Sequence, residues 1–193
     1  MTGPGGGISG GTIGDLTWGS GIEPGWTNNN FNVAFLPNTP PSGPFLPMPS
    51  GGVFTDGSYQ LSDSGATLTI NGKVTLYVTG NFSGTAVVNT NASLTLIINT
   101  PLNASLVNNT GIPANLNLVG LPGCTSIDFG GSTTFIGTIN APQADLTLHG
   151  TPSFYGAAMV ASFTLKGGGN GGFHYDEALA QPSSLFMISW AEL

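Results

Sequence analysis

The sequence predicts an all-β chain: a parallel β-solenoid preceded by an extended Gly/Pro-rich arm. Three observations point there. From Gly51 onward, short runs rich in Val, Ile, Leu and Thr are separated by Gly and Asn, the pattern of short strands bounded by turns. Several runs alternate, with Leu68 and Ile70 set against Thr67 and Thr69, and Leu146 and Leu148 against Thr147, which gives each strand one apolar face. Apolar–Thr–apolar runs that end on Gly recur, as TLTING, TLYVTG, LTLHG and FTLKG. An antiparallel β-sandwich is the alternative. Exposed sandwich faces usually carry cross-strand charges, whereas here Asn and Thr fill the polar positions, and both can stack in ladders from coil to coil.

The elements follow in order. Residues 1–50 hold eight of the fourteen prolines and eleven glycines. The stretch Pro37–Pro49 can be neither a helix nor a central strand, because proline lacks the N–H donor and fixes φ. Yet Trp18, Trp26, Phe31, Phe35 and Phe45 lie in this region, so it reads as an ordered arm resting on something rather than as a free linker. Residues 51–193 form the solenoid domain. Its strands are expected at 67–70, 74–78, 85–88, 93–98, 117–119, 134–139, 144–148, 154–160 and 162–165.

Composition removes several functions. Two lysines, no arginine and nine carboxylates give a net charge of −7 among 193 residues, and only 6% are charged. No basic face for nucleic acid can be assembled, and phosphate chemistry lacks its usual arginine. A helical bundle lacks its charged polar faces. No window is apolar enough for a transmembrane helix. The opening residues carry neither the charged nor the apolar segment of a secretion signal. Cys124 is the one cysteine, read as a small buried hydrophobe.

The stretch 135–179 carries a pattern: Phe135, Gly137, Ile139, Ala141, Pro142 and Ala144, then Gly150, Phe154, Gly156 and Ala157, then Phe173-His174-Tyr175-Asp176-Glu177 and Leu179, with Ile188-Ser189-Trp190 near the end. It resembles the C-terminal domain of a family of uncharacterised bacterial surface proteins found beside type IV pilus assembly proteins of the PilX kind. The resemblance runs over roughly 51–193 and implies a β-helix-like domain at the cell surface with no established enzyme activity. Pilus-associated members begin with an apolar helix, where this chain has its Gly/Pro arm. The F-x-G turns and alternating Thr strands also resemble bacterial ice-binding β-solenoids, although the Thr-x-Thr pairs do not recur at matched positions.

Candidate chemistry is sparse. His174 and Asp176 stand two apart and would share a strand face, with Glu177 opposite. A hydrolase would use such a pair, but the reading adopted is a hydrogen-bonded structural block, Phe173 to Glu177, closing the last coil. His149, between LTL and Gly150, reads as a turn. Asp56, Asp63, Asp128, Asp145, Asp176 and Glu177 offer carboxylate pairs for glycoside chemistry, but no spacing singles one out. Sequons at Asn81, Asn91, Asn103 and Asn108 mark candidate glycosylation sites.

The sequence thus predicts a non-enzymatic extracellular or cell-surface structural protein. It would be a self-assembling filament, sheath or pilus-associated subunit, polymerising through its N-terminal arm, with no cofactor, metal, nucleic acid or membrane span. The alternative is a surface binding module for carbohydrate or ice. Far-UV circular dichroism of the protein is expected to show helix well below about a third, the ordinary globular share; more than about a fifth would contradict the solenoid.

Overall fold

Parallel coils organise this chain. The computed structural model describes residues 35–131, 134–150, 153–166 and 172–180, and two short strands at 12–13 and 21–22. The chain divides into two units, residues 1–36 and residues 37–193. In the first, β1 (Thr12–Ile13) pairs in parallel with β2 (Gly21–Ile22).

The second unit is an all-β parallel solenoid of about six turns. Among the described residues every strand pairing is parallel, so the sandwich alternative does not apply. One wall is formed by β3 (Val53–Phe54), β5 (Thr67–Ile70), β7 (Thr85–Val88) and β9 (Ser105–Asn108). A second is formed by β4 (Gly57–Leu61), β6 (Lys73–Val78), β8 (Ser93–Ile98) and β10 (Leu116–Gly120). It continues through the first halves of β12 (Thr134–Gly150) and β13 (Ser153–Lys166) to β14 (Gly172–Tyr175). The third wall starts as the single bridges Ser64–Phe82 and Leu102–Ile127. It then becomes β11 (Ser126–Gly131) beside the second halves of β12 and β13.

Register explains the core. Parallel pairing stacks identical strand positions, so an inward residue meets an inward residue on the next coil. Tyr59, Leu76, Leu96, Leu118 and Ile139 form one such column, and all are buried. Leu68, Ala86 and Leu106 form another on the first wall, and Ile127 and Leu146 pair on the third. Outward positions carry hydroxyls and amides: Thr75 lies over Thr95, then Asn117, then Thr138. Within that column Thr138 Oγ1 bonds Asn117 Oδ1 at 3.0 Å. At a corner, Asn89 Nδ2 donates to Asn71 Oδ1 at 2.6 Å.

The cross-section changes partway along. The first wall ends at β9, and from β11 onward the chain passes almost directly into β12. The step between β12 and β13 falls to 17 on the third wall, after the register shift at Ala141/Asp145, but on the second wall the later coils advance by a step of 19, setting Phe135 over Phe154 over Phe173. Their rings stack at 4.9 and 4.5 Å, and Phe129 extends the pile at 4.9 Å from Phe135. The F-x-G motif has its reason here. A Cβ on Gly137 would meet the Phe135 ring and the Leu116 carbonyl at 2.8 Å. Gly156, at φ +143°, lies so close to the Gly137 carbonyl that a Cβ would collide with it.

Part of the proline-rich stretch belongs to this unit. Asn38 Nδ2 donates to the carbonyls of Gly120 and Asn140, each at 2.9 Å. Leu46 N donates to Ser58 O at 2.7 Å and bridges Tyr59, while the Phe45 ring lies 6.2 Å from that of Tyr77. Eight residues of polyproline-like chain span about 25 Å. Four to five strand spacings, from the β10/β12 boundary to the edge beyond β4, come to about 22 Å. The segment is thus a strap running across the strands. Its contacts, at Tyr77 and Asn140, fall on the outward column Tyr77, Ile97, Val119 and Asn140. In that column Ile97 points outward between the inward Leu96 and Ile98 yet is only 8% exposed. Residues 37–50 of the expected arm thus group with the second unit, because a proline-rich chain with one well-placed amide can bind a sheet face without joining it.

Two substitutions test this architecture. Asn38→Ala is expected to lower stability by roughly 0.5–1.5 kcal/mol, the net worth of a hydrogen bond to part-buried carbonyls, read by urea unfolding. Gly156→Ala is expected to cost at least about 1–3 kcal/mol through backbone strain, and an unchanged unfolding midpoint would refute the close approach.

Candidate functional site

The block Phe173 to Glu177 lies on the last coil. Phe173 and His174 are carried by β14, which pairs with the start of β13. The His174 ring stacks on Tyr155 at 4.5 Å and 12°, on the outer face of the sheet whose inner face carries the Phe154–Phe173 stack. Tyr175 is more than half exposed. The strand ends there, and Asp176 does not join His174. Its Oδ1 accepts the Ala178 N–H at 3.0 Å and its carbonyl accepts the Leu179 N–H at 3.0 Å. It therefore caps the 3-10 turn Glu177–Ala180. Glu177 opens that turn and is exposed. A groove of about 360 Å³ runs past Pro113, Ile136, Tyr155, His174, Tyr175 and Asp176.

Among the described residues, three of the other four carboxylates join one coil to the next. Asp56 Oδ1 accepts the Lys73 N–H at 2.7 Å, and Asp63 Oδ1 accepts the Asn81 N–H at 2.6 Å. Asp145 Oδ1 accepts the Ser162 hydroxyl at 2.6 Å. Each donor belongs to the next coil, at a corner where the strand ladder is interrupted and a backbone N–H or hydroxyl needs an acceptor. Asn99 Oδ1 does the same for Gly123 N–H at 3.0 Å. Among the described residues, no group of three His, Cys, Asp or Glu side chains could hold a metal ion. No helix there is long and apolar enough to cross a membrane.

The sequence reading missed one pair. His149 Nε2 lies 2.6 Å from Asp128 Oδ1, with both side chains about half exposed at 50% and 46%. The residues belong to neighbouring strands of the third wall, where Gly130 stands opposite His149 and Asp128 opposite Thr147. The offset of 19 between β11 and β12, shared with Phe135 and Phe154 on the second wall, was the signal that would have placed them on adjacent coils. With Ser83, Thr85, Asn103 and Ser105 they line a groove of about 440 Å³. It opens where the first wall stops and the third wall lengthens.

Of the sequons, Asn81, Asn91 and Asn103 are exposed. Asn108 is 8% exposed, and its Nδ2 donates to the carbonyls of Ile112 and Ile136 at 2.9 Å each. Its Oδ1 accepts the Thr110 N–H and hydroxyl. It faces inward below Val88 and closes the end of the first wall, which leaves no room for a glycan in the folded chain.

A family model described as "Domain of unknown function (DUF7305)" matches residues 51–182, more than half of the chain. The chain belongs to this family. No curated protein and no solved structure matches it. The DUF7305 match spans every strand from β3 to β14 and the capped turn after it. It contains both grooves and leaves out the strap.

Cys124 sits at the corner after β10, fully buried, and burial pushes its thiol up to about 11. Below that pH the neutral thiol is the form present, so the thiolate nucleophile is scarce. Reaction with a disulfide reagent at pH 8 is expected to be slow in the native protein and fast in denaturant. Fast native labelling would show the corner to be open.

Proposed function

We propose that the chain is a non-enzymatic structural protein of the cell surface, a self-assembling subunit of a filament, sheath or pilus-associated structure. The observation that carries this reading is the use of its acidic side chains. Asp56, Asp63 and Asp145 each bind a donor on the next coil, and Asp176 caps a turn. Groups that would serve catalysis elsewhere hold a rod in register here. Residues 1–36, a separate unit carrying Trp18 and Trp26, are proposed as the part that packs on another copy, since large aromatic groups in a glycine-rich segment need a surface to cover them. A place outside the cell suits the resemblance to surface and pilus-associated proteins. It also suits the exposed sequons Asn81, Asn91 and Asn103.

One observation favours a second reading, a carbohydrate-binding module. The groove at Asp128 and His149 is lined by hydroxyls and an amide, groups that exchange hydrogen bonds readily with a neutral sugar. Ice recognition has less support. Thr67 lies over Thr85, but Thr69 lies over Val87, so a two-wide Thr face is not continued.

Electron microscopy separates the readings. The full chain is expected to form filaments, and the chain lacking residues 1–36 to remain folded and monomeric. Polymers that persist without 1–36 would overturn the linking role. Monodisperse full-length particles that bind a glycan array would establish the module instead.

A further inference from the structure

The corner between the first and second walls carries an Asn-Gly pair. Among the described residues, Asn71 is the asparagine followed by glycine. In such a pair the glycine has no side chain to keep its nitrogen away from the asparagine Cγ. Asn71 is exposed just after β5, and Gly72 is buried just before β6. Contacts from both neighbouring coils hold the pair. Asn71 N–H donates to Phe54 O at 2.8 Å, and Gly72 O accepts the Ser93 N–H at 3.0 Å. Asn71 Oδ1 accepts from Asn89 Nδ2 at 2.6 Å. Asp56 fills the space beside Gly72, where a Cβ would collide with its carboxylate. The same carboxylate accepts the Lys73 N–H at 2.7 Å. The pair is thus clasped by the coil before it and the coil after it.

We propose that Asn71-Gly72 is a self-modification site whose rate is set by this clasp. The Gly72 nitrogen attacks Asn71 Cγ. The N–Cγ bond forms, the Cγ–Nδ2 bond breaks, and ammonia leaves with the proton from the Gly72 nitrogen. Water then opens the resulting succinimide at either carbonyl, leaving aspartate or isoaspartate at position 71. Ring closure has to swing the peptide unit between Asn71 and Gly72 toward the side chain. Gly72 O, tied to Ser93, and Lys73 N–H, tied to Asp56, resist that swing, and the bond from Asn89 holds the side-chain amide. The chemistry therefore runs through the fraction of chains whose corner is open. Its product sets a new carboxylate on the coil next to Asp56, where like charges repel. Isoaspartate also adds a methylene to the backbone, out of step with the coils on either side. The inference rests on neither the structural nor the carbohydrate-binding reading.

Peptide mapping of the segment around position 71 tests this, with the full chain held at pH 8 in buffer and in guanidinium chloride. Aspartate and isoaspartate are expected to accumulate at 71 in the denaturant and, more slowly, in buffer. Asp56→Ala is expected to raise the rate in buffer several-fold, up to roughly tenfold, the worth of a hydrogen bond to a charged acceptor at an exposed corner. Asn89→Ala, which releases the Asn71 amide, takes its place if the first variant loses its β-sheet circular dichroism. Three results would overturn the proposal: equal rates in buffer and denaturant, a folded variant that converts no faster than the parent, or no conversion at 71 in the denaturant. The first two would remove the clasp, and the last would remove the site.

Discussion

In-register parallel stacking of coils is the constraint on which everything else depends. Once Leu76, Leu96 and Leu118 share a column, every neighbouring position is fixed by alternation. Apolar columns face inward and hydroxyl or amide columns face outward. Each buried leucine contributes about 1.5–3 kcal/mol by leaving water, and a slip of one residue would turn a whole column outward. The near absence of charge follows. A charged column would place like charges about 4.8 Å apart on successive coils, whereas Thr and Asn columns can bond along their own length.

Corners are where this order is weakest, because the ladder breaks there and backbone groups lose their partners. The chain meets that need with single acceptors: Asp56, Asp63 and Asn99 each take an N–H from the following coil. The larger discontinuity lies at the end of the first wall. There Asn108 turns inward with its amide fully bonded, and the Phe129–Phe135–Phe154–Phe173 stack takes over one edge of the rod. Both grooves border this change of section. Their polar and aromatic linings arise from this structural transition.

The strap adds a second layer of order on one wall of the solenoid. Asn38 and Leu46 anchor a proline-rich segment across the sheet. Proline suits this role because it donates nothing and holds an extended form at little entropic cost. The order of the solenoid is maintained by packing and backbone bonds rather than by ion pairs that salt would screen.

The fold was legible because its signals are local. Alternation in Thr67–Ile70 and Ser93–Ile98, Gly and Asn between runs, and scarce charge all act within a few residues, and the chain is the parallel solenoid they predict. The burial of Cys124 was legible for the same reason. What the tertiary structure decided depends on which coil lies beside which. His149 reads as a turn residue until β11 is set against β12 and brings Asp128 to it. His174 and Asp176 look paired by spacing, but the strand ends at Tyr175 and a turn takes the carboxylate. Asn108 looks like any sequon until the end of the first wall buries it. The Pro37–Pro49 stretch announces an extended chain, but only the carbonyls of Gly120 and Asn140, more than eighty residues away, make it a strap. Local pattern sets what each segment can be; coil-to-coil register, a long-range quantity, sets what each side chain meets.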